Sequence, residues 1–114
     1  MLTWKQMLQR QEQAQRFLVI GEVEVAFWYL WGILEAAMRR QAMQVTITIE
    51  RFPANSLINH LYSQGELSIE HFDQVRVIQT IRDRLIHGYQ LPNLEEPTKH
   101  LQVLINELIA MWKI

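Results

Sequence analysis

The chain has 114 residues, of which 49% are hydrophobic and 20% are charged, and its formal net charge is −1. This length and apolar content suit one domain with a single core and exclude a disordered chain. The near-zero net charge means that a nucleic-acid site would have to rest on a local cluster of cations. The sequence contains no cysteine, which excludes disulfides and thiolate metal sites and suits a reducing cytoplasm.

The first predicted helix covers residues 4–19. Thr3 and Gln6 precede and open it with the spacing of a capping box. Apolar residues then recur at helical spacing, while the charged residues lie off that face. Gly21 predicts a break or kink, because glycine is unfavourable in a helix interior by about 1 kcal/mol.

The second predicted helix, residues 22–43, is the most apolar part of the chain. Residues 25–34 leave no polar face, which is typical of a central helix, and this run is too short to span a bilayer. No signal-peptide pattern opens the chain, so we expect a cytoplasmic protein with no membrane segment. The aromatic residues of this helix favour core packing over a ligand pocket. Glu35 then interrupts the apolar stretch, either as a solvated edge residue or as the buried partner of a cation.

Residues 44–51 form the least helical segment of the sequence. Alternating β-branched residues along 45–49 favour an extended chain. A single strand finds no partner within this sequence, so we interpret the segment as an extended connection that could pair only with a second copy. A short helix is predicted at residues 56–63, with Gly65 as its C-cap.

Two longer helices are predicted in the remainder of the chain. The first covers residues 69–86 or 87, and Gly88 can supply the left-handed residue that ends it. The second is the last helix, which Asn93 or Glu96 caps. No internal repeat or linker separates these elements, so we expect residues 1–114 to form one domain.

The helix at residues 69–86 carries an arginine where a core residue is expected. At about 100° per residue, Arg82 falls near the middle of an apolar stripe formed by Phe72, Val75, Ile78, Leu85 and Ile86. A buried unpaired charge costs several kcal/mol or more, so the guanidinium needs a carboxylate, an anion or a wet cleft. We favour Glu35 as that carboxylate. Alternatively, the arginine packs only its stem, and His87 is an ordinary residue of a last helical turn.

The segment Arg82-Asp83-Arg84-Leu85-Ile86-His87-Gly88-Tyr89 resembles the Arg-x4-His-x-Tyr signature of HEPN domains. The match includes an acidic residue directly after the arginine, where the family usually has Asn, Asp or His. Over residues 21–112 the resemblance extends only through the helix pattern and the segment 31–39. It implies an all-α fold, an up-and-down helical bundle of four main helices plus one short helix.

Arg82 and His87 have the chemistry that metal-free RNA cleavage requires. Histidine titrates near neutral pH and can move a proton, and arginine can stabilise charge that develops on a phosphate. A separation of five residues places the two side chains about 140° apart on a helix. They converge only if the helix loosens at Gly88 or if a homodimer completes the site across a two-fold axis. The HEPN resemblance implies the second arrangement.

The resemblance implies a metal-independent endoribonuclease that acts as a toxin or defence component. Arg82 and His87 would be catalytic, with Asp83 and Glu35 in support. In the related toxin–antitoxin pairs, a minimal nucleotidyltransferase antitoxin transfers AMP to the motif tyrosine, which here is Tyr89. Two alternatives remain open, a non-catalytic HEPN-like module that binds a nucleotide or a protein, and a dimeric scaffold without a site. The histidines lack metal-binding spacing and no phosphate loop is present, so we expect neither a metal nor a cofactor.

Overall fold

The structure, a computed structural model, describes residues 1–45 and 53–113, and in this part of the chain it has five helices and no strand. The helices are α1 (Trp4–Val19), α2 (Val23–Gln44), α3 (Ala54–Ser63), α4 (Ile69–Ile86) and α5 (Glu95–Trp112). The prediction of an all-α fold with four main helices and one short helix is confirmed. The predicted extended connection lies outside the described residues from residue 46 onward, and Gln44, where we expected it to begin, is the last residue of α2.

The predicted capping box at the start of α1 is present. The Gln6 backbone N–H donates to the Thr3 hydroxyl at 3.1 Å, and the Thr3 N–H donates to Oε1 of Gln6 at 2.9 Å. At the other end, Gly21 takes a φ of +84°, and the Glu22 N–H donates back to the Phe17 carbonyl at 2.9 Å. This is the longer hydrogen bond of a Schellman motif, so the predicted break at Gly21 is confirmed.

Backbone contacts divide the chain into two compact units, and the boundary between them falls inside α2. The first unit is Met1–Ala37 with Leu91–Ile114, and it contains α1, α5 and the greater part of α2. In this unit the buried Gln11 donates from Nε2 to Oδ1 of Asn106 at 2.9 Å, which joins α1 to α5. Its core consists of side chains such as Met7, Phe27, Leu30, Leu101 and Leu108. The expectation of one domain stays a prediction.

The second unit, Met38–Gln90, contains the last turns of α2 together with α3 and α4, which pack against each other. The buried Gln41 donates from Nε2 to Oε2 of Glu66 at 3.0 Å and accepts a hydrogen bond from Gln44 at 2.7 Å. These bonds satisfy a polar side chain among apolar neighbours. The core of this unit is formed by Met38, Leu57, Ile58, Leu61, Val75 and Ile78.

The start of α5 differs from the prediction. Leu94 is the N-cap, and no side chain caps the helix there, so the expected capping by Asn93 or Glu96 is wrong. Asn93 has a φ of +64°. A capping side chain requires an extended N-cap residue, and this left-handed backbone turns the chain before the helix begins. Within residues 1–45 and 53–113, none of the helices combines the length and the apolar character needed to cross a membrane.

Gly32 and Gly65 have different backbone conformations, so adding a methyl group should affect stability in opposite directions. Gly32 lies inside α2 with open space where a Cβ would stand, and Gly65 follows α3 with a φ of +75°. Gly32→Ala should raise the free energy of unfolding by up to about 1 kcal/mol, because alanine has the higher helix propensity. Gly65→Ala should lower it by about 1–2 kcal/mol, because an L-residue is strained in the left-handed region.

Urea unfolding of the two variants, followed by circular dichroism, measures both changes. Each variant serves as the control for the other, since both add one methyl group at an exposed position. Shifts of the same sign in the two variants would contradict the helix ends described here.

Candidate functional site

The histidine of the Arg-x4-His-x-Tyr motif caps the C-terminus of α4. The last helical residue is Ile86, and His87 follows as C-cap with φ −83° and ψ 10°. Gly88 then turns the chain with a φ of +85°, and the Tyr89 N–H donates to the carbonyl of Arg84 at 3.0 Å. The predicted end of the helix is confirmed, and the backbone from His87 to Tyr89 is held by hydrogen bonds of the helix terminus.

The apolar stripe of α4 is covered along most of the helix and open at its last turn. Val75 and Ile78 are buried, and Leu85 is half-buried, as the periodicity predicts. Ile86 is 56% exposed, so its assignment to a buried stripe is wrong. Periodicity gives the direction in which a side chain points, but burial also needs a neighbour, and the last turn of the described helix lacks enough of them.

Arg82 is paired with the residue that follows it. Its Nε donates to Oδ1 of Asp83 at 3.0 Å, and its terminal nitrogen donates to the same oxygen. The side chains of Arg82 and Asp83 are 23% and 48% exposed, so the ion pair is partly solvated. Asp83 therefore contacts Arg82 near solvent, and its supporting role in catalysis stays a prediction.

The other two motif side chains reach solvent. His87 is exposed, and Tyr89 is 65% exposed with the Arg84 guanidinium carbon 6.0 Å from its ring centroid. The turn at Gly88 comes after His87, so it does not rotate the histidine towards Arg82. The separation of about 140° expected for a helix therefore stands. An imidazole and a phenol ring are therefore both exposed at this helix end.

Glu35, the other supporting residue predicted from the sequence, is half-buried on α2 and belongs to the first compact unit. Arg82 belongs to the second unit. The pairing of Glu35 with Arg82 stays a prediction. The contact with Asp83 gives Arg82 a carboxylate partner within its own compact unit.

A cluster on α3 and α4 was not predicted from the sequence, and we call it the aromatic–arginine stack: Tyr62, Phe72 and Arg76. The rings of Tyr62 and Phe72 stack with centroids 4.5 Å apart and planes at 28°. The Arg76 guanidinium carbon lies 5.2 Å from the centroid of the Phe72 ring. The spacing of Phe72 and Arg76, one helical turn, could have indicated half of this cluster. Tyr62 lies on a different helix, and no spacing within one element can locate it.

A shallow pocket is present in the first compact unit, between α1 and α2. It is lined by Gln13, Arg16, Phe17, Ile20 and Tyr29. The rings of Phe17 and Tyr29 lie 5.2 Å apart at its wall. None of the motif residues lines this pocket.

Neither a metal site nor a similar protein identifies the reaction. In the described part of the chain, no three His, Asp, Glu or Cys residues are grouped as a metal site would need. No protein-family profile matches the chain, and no curated protein or solved structure is significantly similar to it.

The predicted pairing of Glu35 with Arg82 can be measured by a double-mutant cycle. If the pair forms, Glu35→Ala leaves a guanidinium without that partner and should lower the free energy of unfolding by about 3–5 kcal/mol. In an Arg82→Ala background the same change should cost much less, because the charge is already gone. Glu12→Ala, at an exposed position of α1, is the matched control. A melting temperature unchanged by Glu35→Ala would reject the pairing.

Proposed function

We propose that this protein is a metal-independent endoribonuclease of the HEPN type, with a composite active site at a homodimer interface. The observation that carries the proposal is the position of Arg82 and His87 at one partly solvated helix end. Arginine can clamp a phosphate, and an accessible histidine can move a proton. The Arg-x4-His-x-Tyr spacing, which resembles the HEPN signature, supports the same chemistry.

In the proposed reaction, neutral His87 of one protomer accepts the proton of a ribose 2′-hydroxyl, and the 2′-oxygen attacks the adjacent phosphorus. The bond between phosphorus and the 5′-oxygen breaks. The departing 5′-oxygen takes its proton from the imidazolium of the second His87 in the dimer. Arg82 stabilises the negative charge on the non-bridging oxygens. The products are a 2′,3′-cyclic phosphate and a 5′-hydroxyl, and no water is consumed in this step.

The apolar surface beside the motif supports a dimer. Ile86, the last residue of α4, is 56% exposed. An exposed apolar side chain next to functional groups favours an interface, and a two-fold interface would use the same patch on both copies. Such an axis would bring two Arg82–His87 sets into one cleft. Arg82 of one protomer could then lie near His87 of the other, although the two side chains are about 140° apart on a single helix.

We further propose a toxin or defence role for this nuclease in the cytoplasm, restrained by a nucleotidyltransferase-type antitoxin. The exposed ring of Tyr89 supports this idea, because a modifying enzyme needs access to the hydroxyl. An adenylyl group would place a negative phosphate two residues from His87. That charge would repel the RNA backbone and inactivate the site.

One observation favours a different class of function. Asp83 already engages the guanidinium of Arg82, which leaves less positive charge for a reacting phosphate. A non-catalytic HEPN-like module that binds a nucleotide or a protein partner would tolerate this pairing. The two proposals differ in whether RNA is cut and whether the cutting depends on His87.

The proposed dimer can be tested by placing a charge on either side of α4. Ile86→Glu should shift a dimer to monomers, because the carboxylate would be desolvated at the proposed interface. Val77→Glu is the matched control, since Val77 is 60% exposed on the same helix and points about 180° away from Ile86. Sedimentation at concentrations of about tens of micromolar, where ordinary interfaces are occupied, reads the outcome. A wild-type monomer under these conditions would argue against the composite site.

The catalytic assignment can be tested with purified protein, total RNA and tRNA in the presence of a chelator. His87→Ala should lower the cleavage rate by about 10²–10⁴-fold, because it removes the proton-transfer group. It should spare the fold, because the helix ends before this residue. His100→Ala, at an exposed position of α5, is the control and should cleave at the wild-type rate. Cleavage by His87→Ala as fast as by the wild type would leave only the binding-module proposal.

A further inference from the structure

The aromatic–arginine stack offers an aromatic surface to solvent. Tyr62 is 41% exposed although its ring stacks on Phe72. A tyrosine needed only for the core would be buried more deeply, as Leu61 beside it is. Ring surfaces of this kind hold unpaired nucleobases in proteins that bind single strands, because every base has a π-face.

Arg76 and Arg82 differ in the hydrogen-bond partners of their guanidinium groups. Arg76 donates to Oδ1 of Asn59 at 2.5 Å and to Oε1 of Gln79 at 3.3 Å. Both acceptors are neutral amide oxygens, so these bonds fix the direction of the guanidinium without cancelling its charge. Arg82, by contrast, is paired with a carboxylate. An oriented arginine beside an aromatic ring is suited to a backbone phosphate next to a stacked base.

Two residues of the stack, Phe72 and Arg76, share one edge of α4 with Asp83 and His87 of the motif, whereas Arg82 lies about 140° from His87. Phe72, Arg76, Asp83 and His87 are separated by four, seven and four residues, which places them within about 60° on the helix. From Phe72 to His87 the helix advances fifteen residues, or about 22 Å. A strand that follows this edge would meet the aromatic rings at one end and His87 at the other.

We propose that Tyr62, Phe72 and Arg76 form a nucleobase-stacking platform for single-stranded RNA, from which the strand runs along α4 to His87. The platform deepens the proposed nuclease function, and the role of its far end rests on that function. The substrate class is RNA with an unpaired base several nucleotides away from the cut. A paired helix would not satisfy the site, because its bases are already stacked.

Binding is measured in the His87→Ala background, so that cleavage does not enter the result. A fluorescently labelled single-stranded RNA of mixed sequence is titrated in chelator and followed by anisotropy. Tyr62→Leu should raise the Kd by about 5- to 150-fold, the range expected when one base-stacking contact is lost. Tyr62→Phe keeps the ring and should bind as the His87→Ala parent does. Tyr29→Leu, which alters the other Tyr–Phe pair in the first compact unit, is the matched control and should leave the Kd unchanged.

A second pair of variants tests the charge of Arg76 and keeps the rings of Tyr62 and Phe72. Arg76→Gln should reduce the slope of log K against log salt by about one, because one phosphate contact is lost. Arg10→Gln, at an exposed position of α1, removes the same charge and should leave the slope unchanged. An unchanged Kd in Tyr62→Leu together with an unchanged slope in Arg76→Gln would overturn the platform. Equal affinity for a duplex of the same sequence would overturn it as well.

These outcomes are separate from those of the nuclease proposal. If the stack variants weaken binding while wild-type protein leaves RNA uncut, the platform stands and the catalytic assignment fails. If RNA is cut in a His87-dependent way while the stack variants bind and cut normally, the nuclease stands and the platform fails. Binding of a protein partner that depends on Tyr62, without any RNA binding, would also overturn the platform.

Discussion

The apolar surface of α2 is the constraint on which the rest of the structure depends. Buried side chains recur along it from Ala26 to Ala42, and residues 25–34 leave no polar face. Such a helix is unstable alone in water, since little of its stability can come from helix propensity. Each compact unit contains part of α2 together with two other helices, so both cores include its side chains. The ends of the other helices, including that of α4, are then free to carry polar groups.

Local chemistry made most of the helix ends predictable. Thr3, Gly21 and Gly88 act on backbone groups only a few residues away, so their effect can be predicted without knowledge of the tertiary structure. The same reasoning failed at Leu94. There Asn93 could turn the chain or cap the helix, and the sequence alone does not decide between these two common roles of asparagine.

The positions of Arg82 and His87 at the end of α4 were predictable from the sequence, but the contacts of their side chains were not. Periodicity placed Arg82 on the core side of α4, yet the exposure of Ile86 depends on which neighbours reach the last turn. The contact with Asp83 depends on side-chain rotamers that the spacing does not specify. The aromatic–arginine stack joins two helices, so only the fold brings Tyr62 to Phe72. Arg76 and Arg82 thus carry one formal charge each but present different surroundings to an anion.

The hydrogen bond from the Tyr89 N–H to the Arg84 carbonyl has a consequence for any group attached to the tyrosine. It holds the backbone of Tyr89 against the last turn of α4, so this residue does not begin a flexible segment. Two side-chain torsions separate this fixed backbone from the hydroxyl, so a substituent there would begin close to the helix end. The backbone would lose little further conformational entropy if that substituent came to lie over His87. A rigid helix end can in this way limit the positions that a covalently attached group occupies.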